Sequence, residues 1–428
     1  MPAKRDTVGC LGAFSIGIGG IVGGGIFATL GLAAVQARGS TYLSFLVGGV
    51  VALLTVYAYA QLSLAYPSKG GTVTFITRAF GTGIFAGGIN TLLVMSYVVL
   101  LGVYAYAFAT YASTFFPKTD YNFWHRLLMS SVIVVLTAVN FVGPGLVDRS
   151  EGSFNLGKLL ILLIFVVVGL ASGGLSFERL TPADWVSAPV IISTGMLVFI
   201  SYEGFELIAN VSDRVTNPRK NLRFAYYGSV TTAIVFYMFI IVVALGHLSF
   251  KALSHASDYS LSAAAQVFMG RPGFILLAIG AMLATASAIN AGLFGASKLP
   301  VMLAEEHEAP ERYDREVWSR HPVGLVMIAV LSLLVANFLD LHALSAAASA
   351  GFIMVFALVN VANVKLAEKT QSKRWISLLG AIACLAALAI MLFQIAGDPK
   401  NSYELYFIAG LAAFPFLYQV AYRAIKGI

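Results

Sequence analysis

The sequence predicts an all-α integral membrane protein with twelve transmembrane helices. Of its 428 residues, 59% are hydrophobic and only 11% are charged, whereas soluble domains carry about 25% charged residues. Apolar stretches of roughly 17–25 residues, the length that crosses a bilayer, recur along the whole chain. The alternating ten-residue segments that are typical of outer-membrane barrels are absent from the sequence.

The twelve predicted spans follow one another with short connections. They cover residues 9–35, 42–66, 84–115, 127–147, 153–175, 188–212, 224–247, 272–300, 322–340, 342–365, 375–396 and 403–424. Spans 3 and 8 are long enough to be tilted in the bilayer. The longest polar stretch, 304–322, has mixed charge and is predicted to be a short surface helix.

The charge distribution predicts the orientation of the chain. With the N-terminus inside, most of the 27 Lys and Arg residues fall in cytoplasmic segments, as the positive-inside rule requires. We therefore expect a multi-pass protein of the cell (inner) membrane with both termini in the cytoplasm. The net charge of +7 follows from this bias and requires no nucleic-acid partner.

Span 1 contains GIGGIVGGG at 17–25, in which six of nine residues are glycine. Each glycine costs about 1 kcal/mol relative to alanine inside a helix. Small residues at i and i+4, such as Gly19 and Gly23, also allow close helix packing. The alternative is a discontinuous helix, whose freed backbone groups bind a substrate or an ion. A phosphate-binding loop is excluded because Val22 stands where the third glycine of that motif belongs.

Span 6 carries a second candidate interruption, Ser201-Tyr202-Glu203-Gly204. Gly20 and Gly204 are separated by nearly the same chain length as the starts of spans 5 and 10. Paired broken helices in two halves of equal length are typical of transporters built from inverted repeats. We therefore predict a single transporter domain over 1–428, in which repeat one covers about 9–175, repeat two about 188–365, and spans 11 and 12 about 375–424.

Four stretches together resemble the amino acid–polyamine–organocation permeases. They are GIGGIVGGGIF in span 1, PSKGGTVTFITRAFG at 67–81, SYEGFE in span 6 and NPRKNL at 217–222. This resemblance covers essentially the whole chain and implies a secondary transporter with the LeuT-type fold, a 5+5 inverted repeat in which helices 1 and 6 are discontinuous.

The resemblance also implies a binding site for an amino acid. In this family the unwound part of helix 1 offers backbone N–H groups to the substrate carboxylate, and carbonyl groups at the break of helix 6 receive the amino group. Spans 3, 8 and 10 line the remaining walls. The matching positions are Ile21, Gly23, Gly24 and Gly25 on the carboxylate side and Phe199, Ile200, Ser201 and Glu203 on the amine side. Helix termini agree with this assignment, because N-terminal ends favour anions and C-terminal ends favour cations.

One of these positions departs from part of the family. Polyamine and arginine exchangers often have an aromatic gate where this chain has Ile200. The aliphatic side chain weakens the assignment to that subgroup. Phe199, Tyr202 and Phe205 are alternative aromatic candidates, although packing explains most aromatic residues in membrane helices.

Two glutamates lie at membrane depth, where charged groups are costly and are by default candidates for function. Glu206 belongs to a Gly-Phe-Glu pattern that resembles the family, in which the acid is linked to proton sensing or helix coupling. Glu203 has two interpretations. It is either a structural carboxyl at the helix break or a counter-charge for a cationic substrate.

Lys158 in span 5 is the third charge at membrane depth. It lies seven residues after Glu151, about 10 Å of helix rise, so its long stem could reach the cytoplasmic interface. The resemblance favours a coupling role. In a sodium-independent, proton-coupled branch of the family, a matching lysine takes the place of the sodium ion between helices 1 and 8. Ser287 and Asn290 in span 8 are its predicted partners, or ordinary interhelical hydrogen-bonding residues.

These observations predict a proton-coupled, sodium-independent secondary transporter of amino acids, with protons and the lipid bilayer as its other partners and no obligate protein partner. An exchanger or importer of cationic amino acids or polyamines is the alternative. An enzyme is excluded by the lack of a catalytic constellation at membrane depth, and a channel by the number of spans. The six histidines lie in or near loops without the spacing of metal ligands, so neither a metal nor a cofactor is predicted.

Overall fold

The computed structural model of the chain describes residues 7–142, 144–310 and 322–427, with the backbone alone at 142, 144–154 and 322. In these ranges the chain forms α-helices joined by turns and short 3₁₀ segments. The helices are α1 Cys10–Ile21, α2 Gly25–Ala37, α3 Thr41–Ala65, α4 Thr72–Phe80, α5 Ile84–Ser113, α6 Tyr121–Val142, α7 Pro144–Ala171, α8 Ala188–Leu197, α9 Pro218–His247, α10 Phe250–His255, α11 Ser260–Ala296, α12 Leu299–Glu305, α13 Pro322–Phe338, α14 Leu341–Lys365, α15 Ala367–Thr370, α16 Arg374–Gly397 and α17 Glu404–Lys426. β-pairing among the described residues is limited to two isolated bridges, Val8 with Val215 and Arg38 with Trp185.

The helices match the predicted spans closely. Among the described residues, eight helical segments are long and apolar enough to cross a membrane, and two bent pairs raise that number to ten. The remaining two predicted spans correspond to the shorter apolar helices Asn155–Ala171 and Val323–Phe338. The prediction of an all-α membrane protein is confirmed. The division into two five-helix repeats, with the boundaries given above, stays a prediction.

Both predicted helix breaks are present. The helix axis bends by 43° between α1 and α2, and the glycines at 23 and 24 lie in that break. The second bend, of 54°, follows α8, where the chain continues as 3₁₀ segments at Phe199–Tyr202 and Phe205–Arg214. Gly204 separates these segments with φ +117°, a left-handed conformation that favours glycine. Spans 1 and 6 are therefore discontinuous.

The centre of the protein is formed by α5 and α14. Helix α5 packs against α11, α14, α17 and α6, while α1 packs against α9, and α3 packs against both α8 and α9. Most side chains of α5 and α14 are buried. The two breaks are thus held inside a shell of continuous helices, where irregular backbone is tolerated.

Helix α11 begins earlier than predicted. The predicted span starts at 272, whereas helical structure already begins at Ser260 and is interrupted at Gly270 with φ 65° and ψ −159°. Pro272 follows this kink and lacks the N–H group that a continuous helix needs. The sequence signal therefore identified the kink rather than the first helical residue.

The polar stretch 304–322 is only partly described. Helix α12 ends at Glu305, and residues 311–321 lie outside the described ranges. The prediction of a surface segment is wrong for Glu308 and Ala309, because both side chains are buried. Neighbouring helices cover them, and the mixed charge of the stretch gave no sign of this contact.

Candidate functional site

The two helix breaks touch each other through backbone. A Cβ atom added at Gly20 would lie 2.9 Å from the Cα atom of Gly204, and one added at Gly25 would lie 2.6 Å from the Cα atom of Ser201. Side chains at these glycines would therefore separate the two helices. This explains two of the six glycines in the run.

The residues predicted on the carboxylate side lie at or between the ends of the two half-helices. Ile21 is the last residue of α1, Gly24 precedes α2 and Gly25 is its first residue. The first N–H groups of α2 and the last carbonyls of α1 have no partners within their own helices. The start of α2 therefore favours an anion and the end of α1 favours a cation.

Tyr237 on α9 joins the two breaks, and the sequence interpretation missed it. Its hydroxyl lies 2.8 Å from the carbonyl oxygen of Ile21 and 2.8 Å from the carbonyl oxygen of Ser201. A buried phenol in an apolar helix needs such a partner, and that need was the available signal. Tyr237 therefore holds the carbonyl ends of both broken helices at one point.

The four residues predicted on the amine side, Phe199, Ile200, Ser201 and Glu203, are all buried. The Ser201 hydroxyl lies 2.8 Å from the hydroxyl of Thr29 on α2. Ser349 on α14 replaces some of the backbone hydrogen bonds that are missing where the helix is broken. Its hydroxyl accepts from the Ile200 N–H at 3.3 Å and donates to the Leu197 carbonyl at 3.0 Å. The second break is thus tied to α2 and α14, by hydroxyl groups that the sequence alone did not single out.

Tyr104 and Thr285 cover the first break. A Cβ atom at Gly24 would lie 2.6 Å from Tyr104 Cδ1 and 3.0 Å from Thr285 Cγ2. Tyr104 belongs to α5 and Thr285 to α11, the helices that correspond to spans 3 and 8. The family resemblance places site walls on these spans, and the structure identifies which of their residues lie over Gly24.

Both carboxylate oxygens of Glu206 accept hydrogen bonds, whereas those of Glu203 have no partner among the described residues. The Glu206 carboxylate accepts from the Gly204 N–H at 2.7 Å and from the Tyr97 hydroxyl at 2.9 Å. The Glu203 side chain is 2% exposed, and neither of its carboxylate oxygens has a hydrogen-bond partner among the described residues. A charged carboxylate without partners is strongly disfavoured inside a protein. A proton or a bound cation would remove this cost at Glu203.

Lys158 reaches the first break from α7. Its side chain is 1% exposed, and Nζ donates to the Gly19 carbonyl oxygen at 2.7 Å. Gly19 lies in the last turn of α1, where carbonyls begin to lose their helical partners. The ammonium group is thus inside the protein, and the snorkelling interpretation of Lys158 is not supported.

One of the two predicted partners of Lys158 on α11 has a contact with another helix. Asn290 accepts a hydrogen bond from Asn140 Nδ2 on α6 at 2.7 Å, so its oxygen serves to join α6 and α11. Ser287 is partly buried on the same helix. Its role as a partner of Lys158 stays a prediction.

A second polar cluster lies away from the helix breaks. Asn90 Nδ2 donates to Glu308 Oε2 at 2.7 Å, and Gln419 Nε2 donates to the Glu308 backbone carbonyl at 2.7 Å. Burial raises the pKa of Glu308 to about 7, the nearby Glu306 adds to this effect, and the Asn90 hydrogen bond and Arg423 oppose it. Glu308 thus joins the segment after α12 to α5 through its carboxyl and to α17 through its backbone carbonyl. No group of three or more His, Cys, Asp or Glu side chains suited to a metal occurs in the described part of the chain.

Comparison with known proteins identifies the kind of molecule to which this site belongs. The family model described as amino acid permease matches residues 8–414. The inner membrane transport protein YbaT of Escherichia coli is 31% identical over 398 residues, which cover 91% of each chain. An uncharacterized protein of Methanocaldococcus jannaschii is 29% identical over 427 residues, covering 99% of this chain and 97% of its own.

A more distant relative has a named substrate class. The cationic amino acid transporter 3, mitochondrial, of Arabidopsis thaliana is 23% identical over 368 residues, covering 81% of this chain and 60% of its own. The family and the relatives with functional names are transporters and not enzymes.

Proposed function

Because the chain belongs to the amino acid permease family, and is therefore a membrane transporter of amino acids or related compounds, we propose that it is a proton-coupled, sodium-independent secondary transporter that works by alternating access. The observation that carries this proposal is the 2.7 Å hydrogen bond from Lys158 Nζ to the Gly19 carbonyl. It joins a buried titratable group to the broken helix that would bind the substrate.

The substrate carboxylate would bind at the start of α2, near Gly24 and Gly25. The substrate ammonium would bind between the carbonyl ends of the two breaks, where Tyr237 already contacts the Ile21 and Ser201 carbonyls. A zwitterion would be held at both ends by helix termini without a dedicated charged side chain. This arrangement supports α-amino acids with neutral side chains as the preferred substrates.

Proton coupling would act through the contact between Lys158 and α1. The acceptor of the Lys158 side chain belongs to the broken helix, so a movement of that helix between conformations would make or break the contact. The charged form would hold the Gly19 carbonyl more strongly than the neutral form, because charge-assisted hydrogen bonds are the stronger ones. A proton that binds two conformations unequally couples its own movement to the conformational change.

A second candidate function is the transport of cationic amino acids or polyamines. The buried Glu203 carboxylate, which lacks a partner among the described residues, favours this alternative. The Arabidopsis relative is named a cationic amino acid transporter. In this case Glu203 would bind the side-chain charge of the substrate.

Transport by the purified protein in proteoliposomes tests both functions. Under an inward proton gradient we expect neutral amino acids to accumulate, and replacement of sodium by potassium should leave the rate unchanged. A sodium requirement, or accumulation that ignores the proton gradient, would contradict the coupling. Accumulation of arginine, lysine or polyamines in place of neutral amino acids would establish the second candidate.

A further inference from the structure

A basic cavity opens at one end of the helix bundle. It has a volume of about 540 Å³, and Arg219, Arg223 and Lys369 line it together with the end of α3. A neighbouring cavity of about 370 Å³ has Arg223 in common with it and adds Lys373. The two cavities form one continuous basic surface between α3, the start of α9 and the corner between α15 and α16.

The positive charge of this surface is not compensated locally. The residues that line the two cavities include four basic side chains and no carboxylate. In the described ranges, none of these four side chains forms an ion pair. Glu368 is the acidic residue of the corner, and it is bound to Arg374 at 2.8 Å.

Helix geometry adds to the positive potential. Helix α9 begins at Pro218 and α16 begins at Arg374, so the first turns of two long helices border the cavities. The N-terminal end of each helix carries a partial positive charge and attracts anions. Arg219 and Arg223 are one helical turn apart and therefore lie on the same face of α9.

The surroundings place this surface at the boundary between lipid and water. Tyr227, which lines the second cavity, and Trp375 in the first turn of α16 are exposed, and aromatic residues of this kind are enriched at membrane interfaces. The positive-inside rule assigns this end of the bundle to the cytoplasm. A ligand here would reach both water and hydrocarbon, as a phospholipid does and a free anion does not.

We propose that this cavity binds the phosphate group of an anionic phospholipid from the cytoplasmic leaflet. Basic pockets between transmembrane helices on this side of a membrane recognise such headgroups. The phosphate would bridge Arg219 and Arg223 of α9 to Lys369 and Lys373 of the α15–α16 corner. Because α9 packs along α1 and carries Tyr237, the lipid would support the helix that holds the two breaks.

Native mass spectrometry and thermal unfolding of the whole protein in detergent test this site. Phosphatidylglycerol should bind in a saturable manner and raise the unfolding temperature, while phosphatidylcholine at the same mole fraction and inorganic phosphate should not. Each basic group near the surface contributes about 1 kcal/mol, which is about fivefold in affinity. The pair Arg219→Gln and Arg223→Gln should therefore weaken phosphatidylglycerol binding about 25-fold.

Lys220→Gln is the matched control, because Lys220 is the exposed neighbour of Arg219 on α9 and lines neither cavity. Because Lys220 would not contact the bound headgroup and would act only through screened surface charge, its replacement should change binding by no more than about twofold. The pair Lys369→Gln and Lys373→Gln repeats the test on the other wall if the arginine variant does not fold. Equal losses in the control and the cavity variants would show diffuse surface charge and overturn the site. An equal response to inorganic phosphate would overturn its assignment to a lipid.

Discussion

Gly20 and Gly204 bring the two broken helices into backbone contact. A Cβ atom at Gly20 would lie 2.9 Å from both the Cα atom and the carbonyl oxygen of Gly204. Real Cβ atoms do not approach backbone this closely, and neither partner has a flexible side chain that could move away. The centre of the transporter therefore depends on two residues that have no side chain.

Substitution of Gly204 by alanine should destabilise the protein. The new Cβ would overlap the Gly20 carbonyl carbon, and the residue has φ +117°. Strained backbone of this kind costs about 1–3 kcal/mol before the overlap is counted. Thermal unfolding in detergent measures the loss. Gly228→Ala is the matched control, since its Cβ would meet Phe14 at an ordinary 3.4 Å. Equal unfolding temperatures for the two variants would contradict the contact.

Substitution of Lys158 by alanine should abolish proton-driven accumulation and preserve the fold. The variant loses the group that links protonation to the Gly19 carbonyl. Lys158→Arg should behave in the same way, because arginine keeps its charge in proteins and cannot release the proton. Both variants should still exchange labelled for unlabelled substrate in proteoliposomes. If the alanine variant still concentrates substrate under an inward proton gradient, Glu206 becomes the leading proton carrier.

The two glutamates of the second break should respond differently to glutamine. Glu206→Gln places an amide N–H₂ group among donors from Gly204 and Tyr97, which should cost about 1–3 kcal/mol of stability. Glu203→Gln disturbs no hydrogen bond in the described residues and should leave the unfolding temperature and neutral amino acid transport nearly unchanged. A loss confined to cationic substrates in Glu203→Gln would favour the second candidate function.

Substitution of Gly24 by alanine should weaken substrate binding by about tenfold or more. The methyl group would occupy space beside the N–H groups of α2 that are proposed to bind the carboxylate. It would also lie 2.6 Å from Tyr104 Cδ1, and such overpacking typically costs about 1–3 kcal/mol of stability. Combining it with Tyr104→Leu relieves that contact and isolates the effect on the substrate, which substrate-induced thermal stabilisation measures. Gly12→Ala near the start of α1 is the control. Normal binding by the double variant would place the carboxylate elsewhere.

The stability of the protein should depend on Glu308 between pH 4.5 and 7. Burial raises the pKa of this carboxyl from 4.5 to about 7, so the folded state holds the proton more tightly than the unfolded chain. Stability therefore falls as the pH rises through this interval and is constant above it. Glu308→Gln should flatten the dependence and raise the unfolding temperature at pH 8 relative to the parent protein. Glu305→Gln on the exposed end of α12 should reproduce the parent curve, and an unchanged curve in Glu308→Gln would contradict the assignment.

The elements of the fold were predictable because composition determines them. Twenty-residue apolar runs have one stable structure in a bilayer, and the runs of glycine and of Ser-Tyr-Glu-Gly identified both breaks. The start of α11 was less predictable. Gly270 and Pro272 look like the beginning of a helix in the sequence, although ten helical residues precede this kink. Likewise, the mixed charge around Glu308 did not reveal that α5 contacts its buried carboxyl and α17 its backbone carbonyl.

The candidate-site residues on the two broken helices were predictable from the sequence, whereas those on the surrounding helices were not. Motifs in spans 1 and 6 gave the glycines and the buried residues at 199–203. Tyr104, Thr285 and Ser349 come from spans 3, 8 and 10. Each of them is one of several polar residues in a long, mostly apolar helix. Which face of such a helix points inward depends on tertiary packing, and the sequence pattern alone does not determine the rotation.

The Tyr237 hydroxyl has fewer hydrogens than it has carbonyl acceptors within hydrogen-bonding distance. It possesses one hydrogen and has two carbonyl acceptors, those of Ile21 and Ser201, at the same distance of 2.8 Å. A hydroxyl that donates fully to one oxygen leaves the other with unused acceptor capacity. The carbonyl oxygens of Ile21 and Ser201 therefore compete for one hydrogen-bond donor. An ammonium group has three hydrogen-bond donors. When it binds here, the Tyr237 hydroxyl would donate to one of the two carbonyls and the ammonium group to the other.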